Sequence, residues 1–365
     1  SSDVCSSDLW IVFNQNLYTI SNDVYWTRGS HGLKFGTLIN RYHVFTEPTT
    51  ARRGGYTFAN LTQFLQGVPN QFSSETPGSN TYRHYAWYTL GFYAQDDWRL
   101  TSRLTLNLGL RYETHTSVDE QNGRGAHFDD LVKDANPTVG PALFDGEPEK
   151  NFGPRFGFAW DVQGNGKTAV RGGFGVLYDI ANMAASAQVS ATGQPPLASR
   201  STIQTPQFAV AFPRPVVPPS AAGRGIRVTD FHLQQPHMLH YNFTVERQLP
   251  AGFSISTAFV ATRGINIYQT REGNPTVPQG VPQNGVCVAR PASTPYVVDG
   301  PKCWLGNDPR LNSNWLETEF KTAGGDSWYN GFQMSIQKRM TKGLQMQSSY
   351  SFSKDRKSTR LNSSH

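Results

Sequence analysis

Leu104-Thr105-Leu106-Asn107-Leu108-Gly109-Leu110-Arg111-Tyr112-Glu113 is the stretch whose reading decides the fold. Every second residue is apolar, and Thr105, Asn107, Gly109, Arg111 and Glu113 fill the other face. That is the two-residue period of a β-strand with unlike surroundings on its two sides. The short joint Leu100-Thr101-Ser102-Arg103 precedes it, and before the joint Tyr88, Leu90, Phe92 and Ala94 alternate with Thr89, Gly91, Tyr93 and Gln95. The two strands make a hairpin over about residues 84–116, with Arg, Glu and Gln on its polar face. A soluble sandwich would leave that face exposed on an outer sheet surface, whereas a membrane barrel turns it toward an interior that is wet or filled by a plug.

The same period recurs on either side. Val170, Gly172, Phe174, Val176 and Tyr178 oppose Arg171 and Gly173, and Tyr241, Phe243 and Val245 oppose Asn242, Thr244 and Glu246. Phe332, Met334 and Ile336 oppose Gln333, Ser335 and Gln337, while Leu344, Met346, Tyr350 and Phe352 oppose Gln345, Gln347, Ser349 and Ser351. Phe253, Ile255 and Phe259 alternate until Val260 and Ala261 blur the pattern, and the pair at about 16–27 and 33–45 is interrupted by Asn, Ser and Asp. Further short joints are Arg28-Gly29-Ser30-His31-Gly32, Gln163-Gly164-Asn165-Gly166-Lys167, Leu249-Pro250-Ala251-Gly252 and Arg339-Met340-Thr341-Lys342-Gly343. Each carries Gly, Pro, Asn or Ser where a hairpin must reverse. Between hairpins lie long polar spans at about 46–83, 117–150, 181–236 and 271–326.

Short joints on one side and long loops on the other are the layout of an outer-membrane barrel, with the turns periplasmic and the loops extracellular. The expected fold is therefore all-β, an antiparallel up-and-down transmembrane β-barrel of about ten strands in five hairpins. It is expected to be incomplete, part of a larger barrel, because an open sheet edge in hydrocarbon leaves backbone donors and acceptors unpaired.

Composition is consistent with this. Mean hydropathy is −0.49 and hydrophobic content 37%, and no run of about eighteen apolar residues exists to make a spanning helix. Alternating strands keep the mean low even in a membrane protein, and 12% aromatic residues suit interfacial girdles. The net charge of +6 comes from scattered basic residues without a stripe or motif for nucleic acid, so no nucleic-acid partner is expected. The expected surroundings are outer-membrane lipid, in a Gram-negative-type bacterium.

The two ends read as foreign. A DNA that encodes Ser2-Asp3-Val4-Cys5-Ser6-Ser7-Asp8-Leu9 has a reverse complement that, one frame over, encodes Asp355-Arg356-Lys357-Ser358-Thr359-Arg360-Leu361. A sequencing adapter read through at both ends produces this relation. Residues 1–9 and 355–365 are accordingly expected to be adapter-derived or non-native tails, natural tails being the alternative, with 10–354 a partial outer-membrane β-barrel domain. The chain is then expected to be an internal fragment.

Cys287 and Cys303 fall in one long Pro- and Gly-rich loop. The expected reading is a disulfide, which at that loop size is worth roughly 3 kcal/mol, and two free thiols are the alternative. Gly164-Asn165-Gly166-Lys167-Thr168 looks like the end of a phosphate-binding loop, but the first Gly of that motif would fall at Asp161 and a strand follows, so a hairpin turn is expected. His232, His237 and His240 are weighed as metal ligands against imidazoles at the aqueous rim. Asp96-Asp97 point to opposite faces of a strand and do not form a catalytic pair. Asp119, Glu120, Asp129, Asp130 and Asp134 make an acidic loop without EF-hand spacing. Asn60-Leu61-Thr62 is a chance sequon. No catalytic, metal or cofactor-binding residue is assigned, no cofactor is expected, and the chain does not read as an enzyme.

Gly91-Phe92-Tyr93-Ala94-Gln95-Asp96-Asp97-Trp98, running on through residues 104–113, resembles the barrel of TonB-dependent outer-membrane receptors. It is most similar to the large Oar-like branch, common in acidobacteria, whose members carry a carboxypeptidase-regulatory-like domain before the plug. Supporting segments are Trp26-Thr27-Arg28-Gly29-Ser30-His31-Gly32-Leu33-Lys34-Phe35-Gly36, Phe152-Gly153-Pro154-Arg155-Phe156-Gly157-Phe158-Ala159-Trp160, Phe64-Leu65-Gln66-Gly67-Val68-Pro69, Trp328-Tyr329-Asn330-Gly331-Phe332-Gln333 and Tyr350-Ser351-Phe352-Ser353-Lys354. The resemblance implies active import through a barrel of about twenty-two strands, blocked by a plug and coupled to the TonB complex. No plug, TonB box or final aromatic-ended strand is read in the chain, so coupling rests on the resemblance. The implied substrate is an unidentified small molecule, glycan or peptide. A passive channel and a surface-binding or adhesive barrel remain as alternatives, since lumen-facing Arg111, Glu113 and Glu246 suit a channel as well as a plug seat.

Overall fold

The computed structural model describes residues 12–47, 54–145, 150–180, 196–198, 200–204, 225–291, 300–341 and 343–359. The expected tail at 1–9, residues 360–365 of the other tail, Lys342 of the last turn and most of the 181–236 loop lie outside the described residues.

The first hairpin is β1 (Val12–Arg28) and β2 (His31–Glu47), and the loop after it holds β3 (Gly55–Thr57), α1 (Leu61–Leu65) and β4 (Gln71–Glu75). The second is β5 (Arg83–Arg99) and β6 (Leu104–His115), followed by the short β7 (Asp119–Glu120), β8 (Gly125–His127) and β9 (Thr138–Gly140). The third is β10 (Phe152–Asp161) and β11 (Thr168–Tyr178), with β12 (Arg200–Gln204) and β13 (Ile226–Thr229) beyond it. The fourth is β14 (His237–Gln248) and β15 (Phe253–Glu272), leading to β16 (Gly280–Gln283) and β17 (Val286–Ala289). The last is β18 (Thr318–Thr341) and β19 (Leu344–Thr359).

The ten long strands pair antiparallel in chain order, β1-β2-β5-β6-β10-β11-β14-β15-β18-β19. The all-β, up-and-down expectation holds, as do the four turns that lie wholly within the described residues, and β18 and β19 pair antiparallel on either side of the fifth. The outer edges of β1 and β19 have no partner among the described residues, so the sheet is not closed. β19 stays in register with β18 through Thr359, past Lys354.

The third turn shows how local chemistry sets a hairpin. The Asp161 carboxylate accepts the backbone N–H of Gly164 at 3.0 Å and of Gly166 at 2.8 Å, and both glycines adopt positive φ (68° and 69°). The residue that breaks the phosphate-loop pattern is the one that caps the turn.

Direct cross-strand partners form one outer-face row, Trp98, Leu106, Phe158, Gly172, Phe243, Phe259, Phe332 and Phe352, each on a successive strand. Gly172 leaves a gap that the Phe158 ring covers. The row climbs from one residue above the turn-side end of β5 (Arg99 to Trp98) to eight above that of β19 (Leu344 to Phe352). That stagger is the shear a tilted barrel wall requires. The four phenylalanines at its far end stay open to the surroundings, Phe243 48% exposed, Phe259 42%, Phe332 43% and Phe352 65%. A two-sheet core would bury them; a lipid-facing wall leaves them bare.

One boundary differs from expectation. Residues 318–326, read as loop, begin β18, where Thr318–Lys321 pair with the end of β15 on one side and with parallel β13 on the other. A bulge between Gly264 and Tyr268, with Asn266 at φ 55°, and the Gly324-Gly325 pair break the two-residue period there. Above the bulge the two strands leave the wall and help build the mouth.

The apolar core sits at that mouth, on the inner side of the loop end of β2 and β5. Tyr42 and Trp87 stack at 4.8 Å and pack with Val44, Tyr85, Val118, Leu143, Phe144 and Leu233, with Tyr268 and Ala323 against them. A second cluster joins Phe128, Ile226, Val228 and Trp315. Farther out, Cys287 and Cys303 are bonded with a Cα–Cα distance of 5.8 Å, while Gly280 and Cys303 exchange two backbone hydrogen bonds. Reducing this staple is expected to destabilise the outer loop by about 3 kcal/mol and leave the wall unchanged. Peptide mapping without reductant should recover both cysteines in one cross-linked fragment; two alkylatable thiols would contradict it.

Candidate functional site

The inner face of the first two hairpins carries a charged ladder. The Tyr93 hydroxyl donates to the Asp23 carboxylate at 2.5 Å, and Lys34 Nζ reaches the same carboxylate at 3.2 Å while lying 5.1 Å from the Tyr25 ring centre and 5.2 Å from that of Tyr93. Arg111 Nε meets Glu113 at 2.7 Å and its guanidinium lies 5.9 Å from the Tyr93 ring centre. Two strand glycines make this possible. A Cβ at Gly36 would run into the Tyr93 ring and Asp23, and one at Gly91 would come within 2.9 Å of Arg111 Nη2. Bare backbone lets long polar side chains lie flat along the wall. Farther round, Arg171 pairs with Glu246 at 3.0 Å.

Between this ladder and the mouth core lies a cavity of about 230 Å³, lined by Asn40, Tyr42, Thr89, Arg111, Glu113, Tyr178 and Asp179 among others. It has an apolar roof at Tyr42 and an ion pair at its floor, a mixture suited to a polar solute group carried on an apolar body.

The loops that close the mouth are fastened by buried polar groups. Glu120, fully buried, accepts the backbone N–H of His84, Asn122 and Arg124 at 3.0, 2.9 and 2.7 Å. Burial pushes its pKa up, but the donors together outweigh burial and hold it below the ordinary carboxylate value. A depressed folded-state pKa contributes stability that is complete above the unfolded value and is lost as pH falls through the folded one. Hydrogen-exchange protection of the Asn122 and Arg124 amides is therefore expected to hold from pH 7 to about pH 5 and to decline only below the unfolded pKa of roughly 4.3. Protection lost between pH 7 and pH 5 would contradict this.

The other sequence candidates are dispersed. His232 Nδ1 lies 2.9 Å from Asp145, His237 sits with its ring centre 5.4 Å from that of Tyr178 and its Nδ1 3.2 Å from the Gln235 carbonyl, and His240 meets Thr262 at 3.2 Å. Among the described residues no group of three or more His, Cys, Asp or Glu is placed to hold a metal. In the acidic loop, Asp129 accepts from Thr138, Asp130 pairs with Lys133 at 2.8 Å, and Asp134 accepts the Asp130 N–H. Asp96 contacts His31 at 2.7 Å on the outer face, whereas Asp97 accepts from Asn107 at 2.6 Å on the inner face. Asn60 caps α1 through the Gln63 N–H. Sequence reading missed Lys34, Asp23 and Tyr25 as a group; Gly36, whose bare backbone makes room for the Tyr93 ring and Asp23, is the one residue of the sequence that could have marked them.

Residues 6–364 match the family described as outer membrane beta barrel domain. The outer membrane transporter YddB from Escherichia coli is similar with a TM-score of 0.51 and 12% identity, over 94% of this chain and 34% of that one. The pyoverdine outer membrane receptor FpvA from Pseudomonas aeruginosa PAO1 gives 0.45 and 15%, over 95% and 36%, and the FrpB iron transporter from Neisseria meningitidis 0.43 and 11%, over 95% and 36%. The chain thus spans about a third of the length of these solved structures, and the likeness to YddB is one of fold. No curated protein matches it.

Proposed function

The chain belongs to the outer membrane beta barrel domain family and is a protein of the Gram-negative outer membrane, and from that premise we propose that it is wall and mouth of a TonB-dependent transporter of the Oar-like branch. The observation that carries the reading is the pairing of an apolar outer face with a charged inner face beneath a folded, cross-braced mouth. Such a mouth retains a solute and such a wall lets it pass; neither is needed for a purely structural barrel. The substrate is a small molecule, glycan or peptide, and the TonB complex is the partner that drives release. Residues 1–9 and 355–365 are proposed to be non-native, which sequencing the source DNA through both ends tests.

The functional test is solute depletion. Cells making the protein are expected to remove at least one component from a defined mixture of metal chelates, glycans and peptides, and to stop when TonB is deleted or a protonophore is added. Depletion that persists without TonB would indicate a passive channel. Retention at the surface without uptake would indicate an adhesive barrel.

A further inference from the structure

Beside the charged ladder the inner wall has a gap. Lys34, Gln95, Gly109, Arg155 and Gly175 are successive direct partners in one row, and Tyr93 and Arg111 face each other in the row above. Because Gly109 has no side chain, the space between Gln95 and Arg155 is empty, a recess of about 260 Å³ lined by Lys34, Tyr93, Gln95, Arg111 and Arg155. Three cations line it and no carboxylate does. Asp23 balances Lys34 and Glu113 balances Arg111, but Arg155 has no ion-pair partner among the described residues.

We infer that this recess is an anion-binding site, taking one carboxylate or phosphate group. This rests on reading the inner face as the lumen. The volume holds a single charged group rather than a whole solute. Arg155 offers a planar fork of donors for bidentate contact, and Lys34 and Arg111, their charges already paired, bound the recess on two sides. The surplus charge is what the bound group neutralises. The same chemistry is presented by an anionic solute or by an acidic residue of a polypeptide segment lying in the lumen.

The test is a titration of the protein in nanodiscs with ¹⁵N-labelled arginine, at constant ionic strength, using inorganic phosphate in one arm and N-acetyl-Gly-Asp-Gly-amide in the other. The Arg155 side-chain signal is expected to shift saturably while Arg171, paired with Glu246, stays put. The response should vanish in Gly109→Leu, which fills the recess, and survive in Gly109→Ala, whose Cβ would sit an ordinary 3.5 Å from Arg155 Cβ. Tighter binding of phosphate assigns the site to a solute, and tighter binding of the peptide assigns it to a polypeptide segment. Arg155 and Arg171 moving together without saturation, or a response indifferent to Gly109→Leu, overturns the inference. Maleimide labelling of Asn107→Cys separates the premises: a reactive thiol with no Arg155 response sinks the anion site alone, and an unreactive thiol sinks the lumen reading.

Discussion

Phe259→Arg is expected to cost about 2–4 kcal/mol of barrel stability, the penalty of an arginine on the lipid face near mid-depth. Phe259 lies six residues above the turn-side end of β15 (Phe253 to Phe259), 42% exposed, between direct partners Phe243 and Phe332. Its neighbour Val260 points inward, paired with Asn242 and Gly331. Val260→Arg keeps its charge in a polar interior and should cost less than about 1 kcal/mol. Reversible urea unfolding in lipid vesicles compares the two. Equal costs, or a larger cost at Val260, would mean that the faces are misassigned.

Asn274→Leu is expected to cost about 3 kcal/mol or more, confined to the mouth. The Asn274 amide nitrogen lies 2.8–2.9 Å from the carbonyls of Asn312, Trp315 and Leu316, which share its two hydrogens, and its oxygen accepts the Asn312 N–H at 2.6 Å, with both side chains buried. Asn312 in turn donates to the carbonyls of Leu131 and Asp134 at 3.0 and 2.9 Å. This amide pair ties the loop after β15 to the loop after β6. Leucine has similar volume and leaves those buried groups without their partner. Limited proteolysis should then cut both loops while the wall persists; loops as resistant as in the parent chain would show that the pair is not a brace.

What was legible beforehand was what local chemistry sets. A two-residue period and a Gly- or Pro-bearing turn require only neighbours along the chain, so the strand pair around Leu104–Glu113 and the Asp161 turn could be read directly. The start of β18 could not, because glycines and a bulge hide its period and its partners, β13 and the end of β15, are remote in sequence. The mouth was opaque for the same reason: the Asn312 contact to Leu131 spans 181 residues. The recess beside Arg155 depends on inter-hairpin register, since Gly109 and Arg155 meet only when β10 pairs with β6 at that offset. Asp23, which interrupts the alternation of β1, is satisfied by Lys34 and Tyr93 on neighbouring strands, partners that the local sequence does not show.

The most direct test of the central claim is a nitroxide scan over residues 104–113 in lipid vesicles, reading collision with oxygen, which partitions into hydrocarbon, against a water-soluble nickel chelate. The expected result is alternation with period two: oxygen contact highest at 104, 106, 108 and 110, nickel contact highest at 105, 107, 109 and 111. Low contact with both reagents at the leucine positions would place them in a packed protein core and contradict a lipid-facing wall.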